Sequence, residues 1–248
     1  MIDFNNLPAQ SKIYYQDDAA VIYCADNRSI LPLFPDKSFD LVLTDPPYGI
    51  AVGDNQSSRE TRCGLMIKKK YIEYNDTPEN YRDIVVPAIQ SALSISTRGA
   101  VFGFPPNIFL LPPPSVIGGL FVPAGCGRNR WGWTNFMPVL FYGCAPELNK
   151  GANQTSIRAT ASGEKVGHPT PKPLDWLKWL VSLASLEGEL ILDPFLGSGT
   201  TAVAAKILGR KCVGIEISEK YCEIAAKRLS QSVMQLEIPK ETIEQSKF

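Results

Sequence analysis

Residues 189–218 read ELILDPFLGSGTTAVAAKILGRKCVGIEIS: an apolar run closed by Asp193, a turn on Gly197 and Gly199, a helix-forming stretch from Thr200, and a second apolar run closed by Glu216. This is the anatomy of a nucleotide-binding βαβ unit. Glycines let the backbone approach a ligand, and a helix N-terminus presents unpaired N–H groups towards negative charge. An acid about twenty residues beyond the turn stands where such units bind ribose hydroxyls. Gly197-x-Gly199-x-x-Ala202 also satisfies the dinucleotide fingerprint, which keeps an NAD oxidoreductase open. Against it, Asp193, Pro194 and Phe195 crowd the turn where a pyrophosphate needs room, so a cofactor with a zwitterionic amino-acid tail fits better.

Working outward, short apolar runs recur as AVIYC (20–24), FDLVLT (39–44), GAVFGF (99–104) and PVLFYG (138–143), with helical patterns at 78–96, 173–187, 200–209 and 218–231. Continuous apolar strands alternating with helices predict a mostly parallel sheet covered on both faces. A chain of 248 residues with 44% hydrophobic composition has enough apolar material for one large α/β domain. Residues 105–170 are rich in Pro, Gly and aromatics, which predicts an irregular insertion at a sheet edge or a recognition element.

Twenty-five Lys plus Arg balance twenty-five Asp plus Glu, so any polyanion contact must come from local patches. Two are visible. Between 105 and 172, six Lys and Arg (128, 130, 150, 158, 165, 172) stand against Glu147 and Glu164; between 56 and 70, Arg59, Arg62, Lys68, Lys69 and Lys70 stand against Glu60. The six cysteines show no CxxC spacing and His168 is the only histidine, which argues against a zinc site or a His-dependent triad. Scattered cysteines, no secretory N-terminus and no apolar run of membrane length predict a cytoplasmic protein without a membrane segment.

The other chemical stretch is TDPPYGI, 44–50, at the end of the run FDLVLT. Prolines lack an N–H, so Pro46 and Pro47 make a stiff turn whose carbonyls have few local donors. Asp45 adds a carboxylate and Tyr48 a flat π surface. A corner of acceptors beside an aromatic ring suits a planar ligand carrying an amino group.

Together, DPPY (45–48), HPTPKP (168–173), DPFLGSGTT (193–201) and GIEISEKY (214–221) resemble the amino-group DNA methyltransferases that use S-adenosylmethionine, in their beta arrangement of motifs. The resemblance covers roughly 20–104 and 166–231. It implies an α/β, Rossmann-like methyltransferase fold: a mixed seven-stranded sheet with helices on both faces and a circularly permuted motif order. It also implies one catalytic domain over 1–248, with 105–167 as a target-recognition insertion.

By the same resemblance Asp45, Pro46, Pro47 and Tyr48 form the catalytic corner, and Asp45 and Asp193 border the cofactor. Asp26 receives the adenine amino group, Glu216 the ribose, and Phe195 flanks the adenine. Gly197, Ser198 and Gly199 approach the methionine portion, while Lys172 with Thr200 or Thr201 contacts its carboxylate. Without the resemblance, Asp26 reads equally as a helix N-cap or turn residue. The implied activity is methylation of adenine N6 in a specific sequence of double-stranded DNA, the base being rotated out of the helix to stack on Tyr48. A cytosine-N4 enzyme, in which Ser is commoner at the position of Asp45, and an inactive DNA-binding module stay open. So do a cognate restriction endonuclease as partner and a monomeric or homodimeric state.

Overall fold

The computed structural model describes residues 6–50, 75–104, 107–125, 127–129, 131–146, 154–160 and 172–236. In chain order the strands are β1 (Ile13–Gln16), β2 (Ala20–Cys24), β3 (Phe39–Thr44), β4 (Ser96–Phe102), β5 (Val116–Phe121), β6 (Gly127–Asn129), β7 (Gly132–Thr134), β8 (Phe136–Tyr142), β9 (Ser156–Arg158), β10 (Leu190–Asp193) and β11 (Lys211–Glu216). The helices are α1 (Asn27–Ile30), α2 (Pro78–Asn80), α3 (Val86–Ser94), α4 (Leu174–Ala184), α5 (Thr200–Ile207) and α6 (Glu219–Leu236).

Among the described residues nine strands make one sheet in the order β1-β2-β11-β10-β3-β4-β8-β5-β9. From β2 to β4 every pair is parallel, and β8 runs antiparallel between β4 and β5. The seven strands from β2 to β5 are the mixed sheet expected from the sequence; β1, antiparallel to β2, and the three-residue β9 widen it at its two edges.

Side chains alternate faces along each strand, and both faces are dry. Ala20, Ile22, Leu41, Leu43 and Ile191 pack under α4, α5 and α6, whose Leu177, Leu180, Val181, Ala204, Ala225 and Leu229 are buried. Their neighbours Val21, Tyr23, Val42, Leu192, Val213 and Ile215 face Ile30 of α1 and Ala88 and Ala92 of α3. A π turn at Tyr81–Val85 joins α2 to α3 just ahead of Pro87. Proline has no N–H to donate and its ring would strike the carbonyl four residues back, so the helix widens there.

The segment read as irregular differs from that expectation. It supplies β5, β8 and β9 to the main sheet, and among its described residues only the hairpin β6–β7, with Trp131 fully exposed at its turn, forms a separate ribbon. The Gly118-Gly119 pair, which weakens any strand reading, is what the register requires. A Cβ on Gly118 would lie 2.0 Å from the Thr155 carbonyl oxygen, and one on Gly119 2.2 Å from that of Met137. All five cations of the 56–70 patch (Arg59, Arg62, Lys68–70) and half of those of the 105–172 patch (Arg130, Lys150, Lys165) lie outside the described residues, as does His168. Among the described residues no helix is long and apolar enough to cross a membrane, and no cluster of His, Cys, Asp and Glu is fit to hold a metal.

Candidate active site

Parallel pairing brings the carboxyl ends of β2, β3, β10 and β11 to one rim, and a cavity opens there. Ligands of open α/β sheets bind at such a rim. Its wall carries Asp26, Asp45, Pro47, Lys172, Asp193, Phe195, Gly197, Ser198, Thr200, Thr201 and Glu216. Pro46, Tyr48 and Gly199 adjoin these residues in the chain without lining the cavity.

At one end lie Asp26, Phe195 and Glu216. The Glu216 carboxylate accepts from the backbone N–H of Gly197 and of Ser218, each at 2.8 Å. Burial outweighs those bonds and pushes its pKa up to about 7. The Ile217 backbone N–H also bonds this carboxylate, which leaves about one of its roughly four acceptor positions for a hydroxyl donor. The N–H of Gly197, which a diphosphate would need, is thereby committed to the protein's own acid. Asp26 caps α1, accepting from Arg28 N at 2.9 Å, and its carboxylate is forked by the Arg28 guanidinium, with Nη2 at 2.5 Å. That hydrogen bonding holds its carboxyl below the ordinary value. The N-cap reading of Asp26 is therefore realised on the cavity wall itself.

The glycine turn has Gly197 at φ +55° and Gly199 at φ +80°, the latter as N-cap of α5. A Cβ on Gly199 would come within 2.7 Å of Ala225 Cβ, so α6 can pack against the turn only if this residue is glycine. Arg228 of α6 donates to the Ser198 carbonyl at 2.7 Å and to Thr200 Oγ1 at 3.0 Å. Asp193 is 2% exposed. It accepts from Thr44 Oγ1 at 2.7 Å and from Phe195 N at 3.1 Å, and also bonds the Thr201 side chain. Burial dominates there too and raises its pKa to about 6. Asp193 thus ties the end of β3 to the end of β10.

The other end holds the acceptor corner. Tyr48 donates its hydroxyl to Asp45 Oδ1, and Lys172 Nζ contacts Asp45 Oδ2 at 2.5 Å. The Tyr48 ring stacks on Phe104, with centroids 5.5 Å apart and planes 28° apart.

Several residues that position these groups carried no motif. Asn27 Nδ2 donates to the Pro194 carbonyl at 3.0 Å, Asp76 accepts from Gly49 N at 2.6 Å, and Asn107 donates to the Tyr48 carbonyl. Asn27 follows an acid at a strand end, a faint cap signal; Asp76, Phe104, Asn107 and Arg228 are found only through the fold.

An aromatic ring with two carboxylates at one end and an ammonium–carboxylate pair at the other match the chemistry of an adenosine bearing a zwitterionic tail. Of the cations on the wall, Arg28 is engaged by Asp26, and Lys172 is placed for a carboxylate.

A family model described as DNA methylase, of the N6/N4 type, matches residues 129–227. The Type II methyltransferase M2.DpnII of Streptococcus pneumoniae is 42% identical over 252 residues, covering 88% of this chain and 92% of the relative. The Type II methyltransferase M2.LlaDCHI of Lactococcus lactis subsp. cremoris is 28% identical over 255 residues, covering 89% and 93%. Among solved structures, PvuII DNA methyltransferase (cytosine-N4-specific) aligns with TM-score 0.62 at 17% identity, covering 88% of each chain. The M1.HpyAVI–SAM complex aligns with TM-score 0.58 at 20% identity, covering 85% of this chain and 99% of that one.

Proposed function

The chain belongs to the N6/N4 DNA methylase family, and from that premise we propose that it methylates the N6 amine of adenine in a specific sequence of double-stranded DNA, with S-adenosylmethionine as methyl donor. Family membership removes the NAD reading of Gly197 to Ala202. The observation that carries the adenine reading is Asp45 at the end of β3, a carboxylate rather than a serine hydroxyl, on the wall of the cofactor cavity.

The cofactor supplies an electrophilic methyl on a sulfonium; the protein's residues do the rest. An exocyclic amine is a poor nucleophile because its lone pair is delocalised into the ring. Asp45 and the Pro46 carbonyl, as acceptors of its two N–H bonds, favour the pyramidal nitrogen and offset the charge that grows on it. Tyr48 holds Asp45 in orientation through its hydroxyl and backs the pocket with a ring fixed on Phe104. Glu216 and Asp26 anchor the adenosine and Lys172 the carboxylate tail, which places methyl and amine in line.

Residues 105–167, with the hairpin β6–β7, are the proposed target-recognition part. No Asp or Glu occurs between Asp83 and Glu147, so residues 105–146 of this stretch, the hairpin included, carry no side-chain carboxylate to repel phosphates. The relatives' Type II designation supports a partnership with a cognate restriction endonuclease.

Mass spectrometry of nucleosides from DNA of expressing cells tests the reading. N6-methyladenine is expected. N4-methylcytosine in its place would overturn the adenine assignment, and methylated RNA with unmodified DNA would overturn the substrate class.

A further inference from the structure

We propose that Lys172 is a shared counterion, which pairs with Asp45 when the cavity holds no cofactor and passes to the cofactor's carboxylate on binding, so that binding unmasks the acid that receives the amine. This rests on the S-adenosylmethionine reading above. Both oxygens of Asp45 are engaged by the protein itself, Oδ1 by the Tyr48 hydroxyl and Oδ2 by the Lys172 ammonium at 2.5 Å. A carboxylate neutralised by a contacting ammonium is a poor partner for a nitrogen that is becoming positive, since the two cations would compete for one anion. The pair as it stands is therefore an unreactive arrangement of the corner.

The surroundings favour transfer over simple loss of Lys172. Its side chain is 12% exposed, and its ammonium lies 5.4 Å from the Tyr48 ring centroid and 5.3 Å from that of Phe102. A desolvated ammonium between two rings needs an anion, and either Asp45 or an incoming carboxylate serves. Lys172 and Asp45 are both on the cavity wall, so a tail carboxylate reaches the same ammonium from the open side. The four-carbon stem of lysine moves its head without moving the backbone, while Pro173 fixes the chain at the start of α4. Asp193, buried beneath this end, repels Asp45 electrostatically and adds to its demand for the cation until the transfer.

Competition for one cation makes an unusual prediction: removing the acid should tighten cofactor binding. Calorimetry with S-adenosylhomocysteine, which has the carboxylate tail but no sulfonium, and with 5′-methylthioadenosine, which lacks the tail, reads it directly. Asp45→Asn should bind S-adenosylhomocysteine about tenfold more tightly than the parent protein, the scale of one charge-assisted hydrogen bond. Its affinity for 5′-methylthioadenosine should be unchanged. On a Lys172→Met background the gain from Asp45→Asn should vanish; Lys172→Gln and Asp45→Ser provide the same comparison if a first variant does not fold. Unchanged or weaker S-adenosylhomocysteine binding by folded Asp45→Asn overturns the proposal, weaker binding marking Asp45 as the holder of the tail's ammonium. An equal gain for both ligands overturns it too. A parent protein that binds neither ligand would instead overturn the cofactor reading itself.

Discussion

The hydroxyl of Tyr48 donates to the carboxylate of Asp45, three residues back, so the ring and the acid of the DPPY corner form one hydrogen-bonded unit. The sequence suggests a ring that serves only as a stacking surface; the fold gives it a second task.

Within the proposed reading, Tyr48→Phe should therefore slow single-turnover methylation by about tenfold or more, the scale of a lost hydrogen bond to a charged group. Tyr48→Ala should lose a further ~1 to 3 kcal/mol of stacking. Rapid-quench assays with saturating cofactor separate the two. Full activity in Tyr48→Phe would show that the hydroxyl does not orient Asp45.

In the proposed site Glu216 ties cofactor affinity to pH. Burial raises its pKa to about 7, and in the proposed site the ionised form is the one that accepts from the ribose. As pH falls below about 7 the carboxyl takes up its proton, and the Kd for S-adenosylhomocysteine should rise by up to about tenfold per pH unit. Glu216→Gln should bind at least about tenfold more weakly at pH 8 and lose most of this dependence. Equal pH profiles for the two proteins, read by calorimetry, would take Glu216 out of the site.

Asp193 makes the opposite kind of claim, about stability. Its pKa is raised to about 6 from the ordinary 3.8, so the folded chain holds the proton more tightly than the unfolded one. The stability contributed by this proton is complete below about pH 4 and is lost as pH rises through about 6. Asp193→Asn keeps an oxygen for Thr44 and Phe195 and should raise Tm by a few degrees at pH 8 while changing little near pH 4. Thermal melts across that range check it, and a lowered Tm at pH 8 would contradict it.

Arg228 lies on α6, yet it fixes the turn that opens α5. Arg228→Leu removes its bonds to Ser198 and Thr200 and should weaken cofactor binding by roughly three- to tenfold with the fold retained. Unaltered affinity in a folded variant would show that the glycine turn holds its shape unaided.

Much of this arrangement is legible in the chain because the sheet is buried on both faces. Runs such as AVIYC and FDLVLT have no polar side to confuse their reading, and each ends in or beside the acid that matters: Asp26, Asp45, Asp193, Glu216. What stays hidden is pairing across sequence distance. Lys172 is 127 residues from Asp45 and Asn27 is 167 from Pro194, and neither spacing leaves a local pattern. The strand β5 is obscured for another reason. Its glycines are set by backbones on either side of it, a constraint that exists only once β8 and β9 are in place.

The strand order has a consequence for synthesis on the ribosome. β2 and β3 emerge early and only a short helical segment separates them, but in the finished sheet β11 and β10, from the last quarter of the chain, lie between them. Two parallel edges must therefore wait, unpaired, while the intervening residues are made, a high-contact-order arrangement that folds late and exposes strand edges meanwhile. Insertion of β10 and β11 then brings Asp193 and Glu216 up beside Asp26 and Asp45 in the same event. A nascent chain that has closed its sheet has by that act also assembled its cavity.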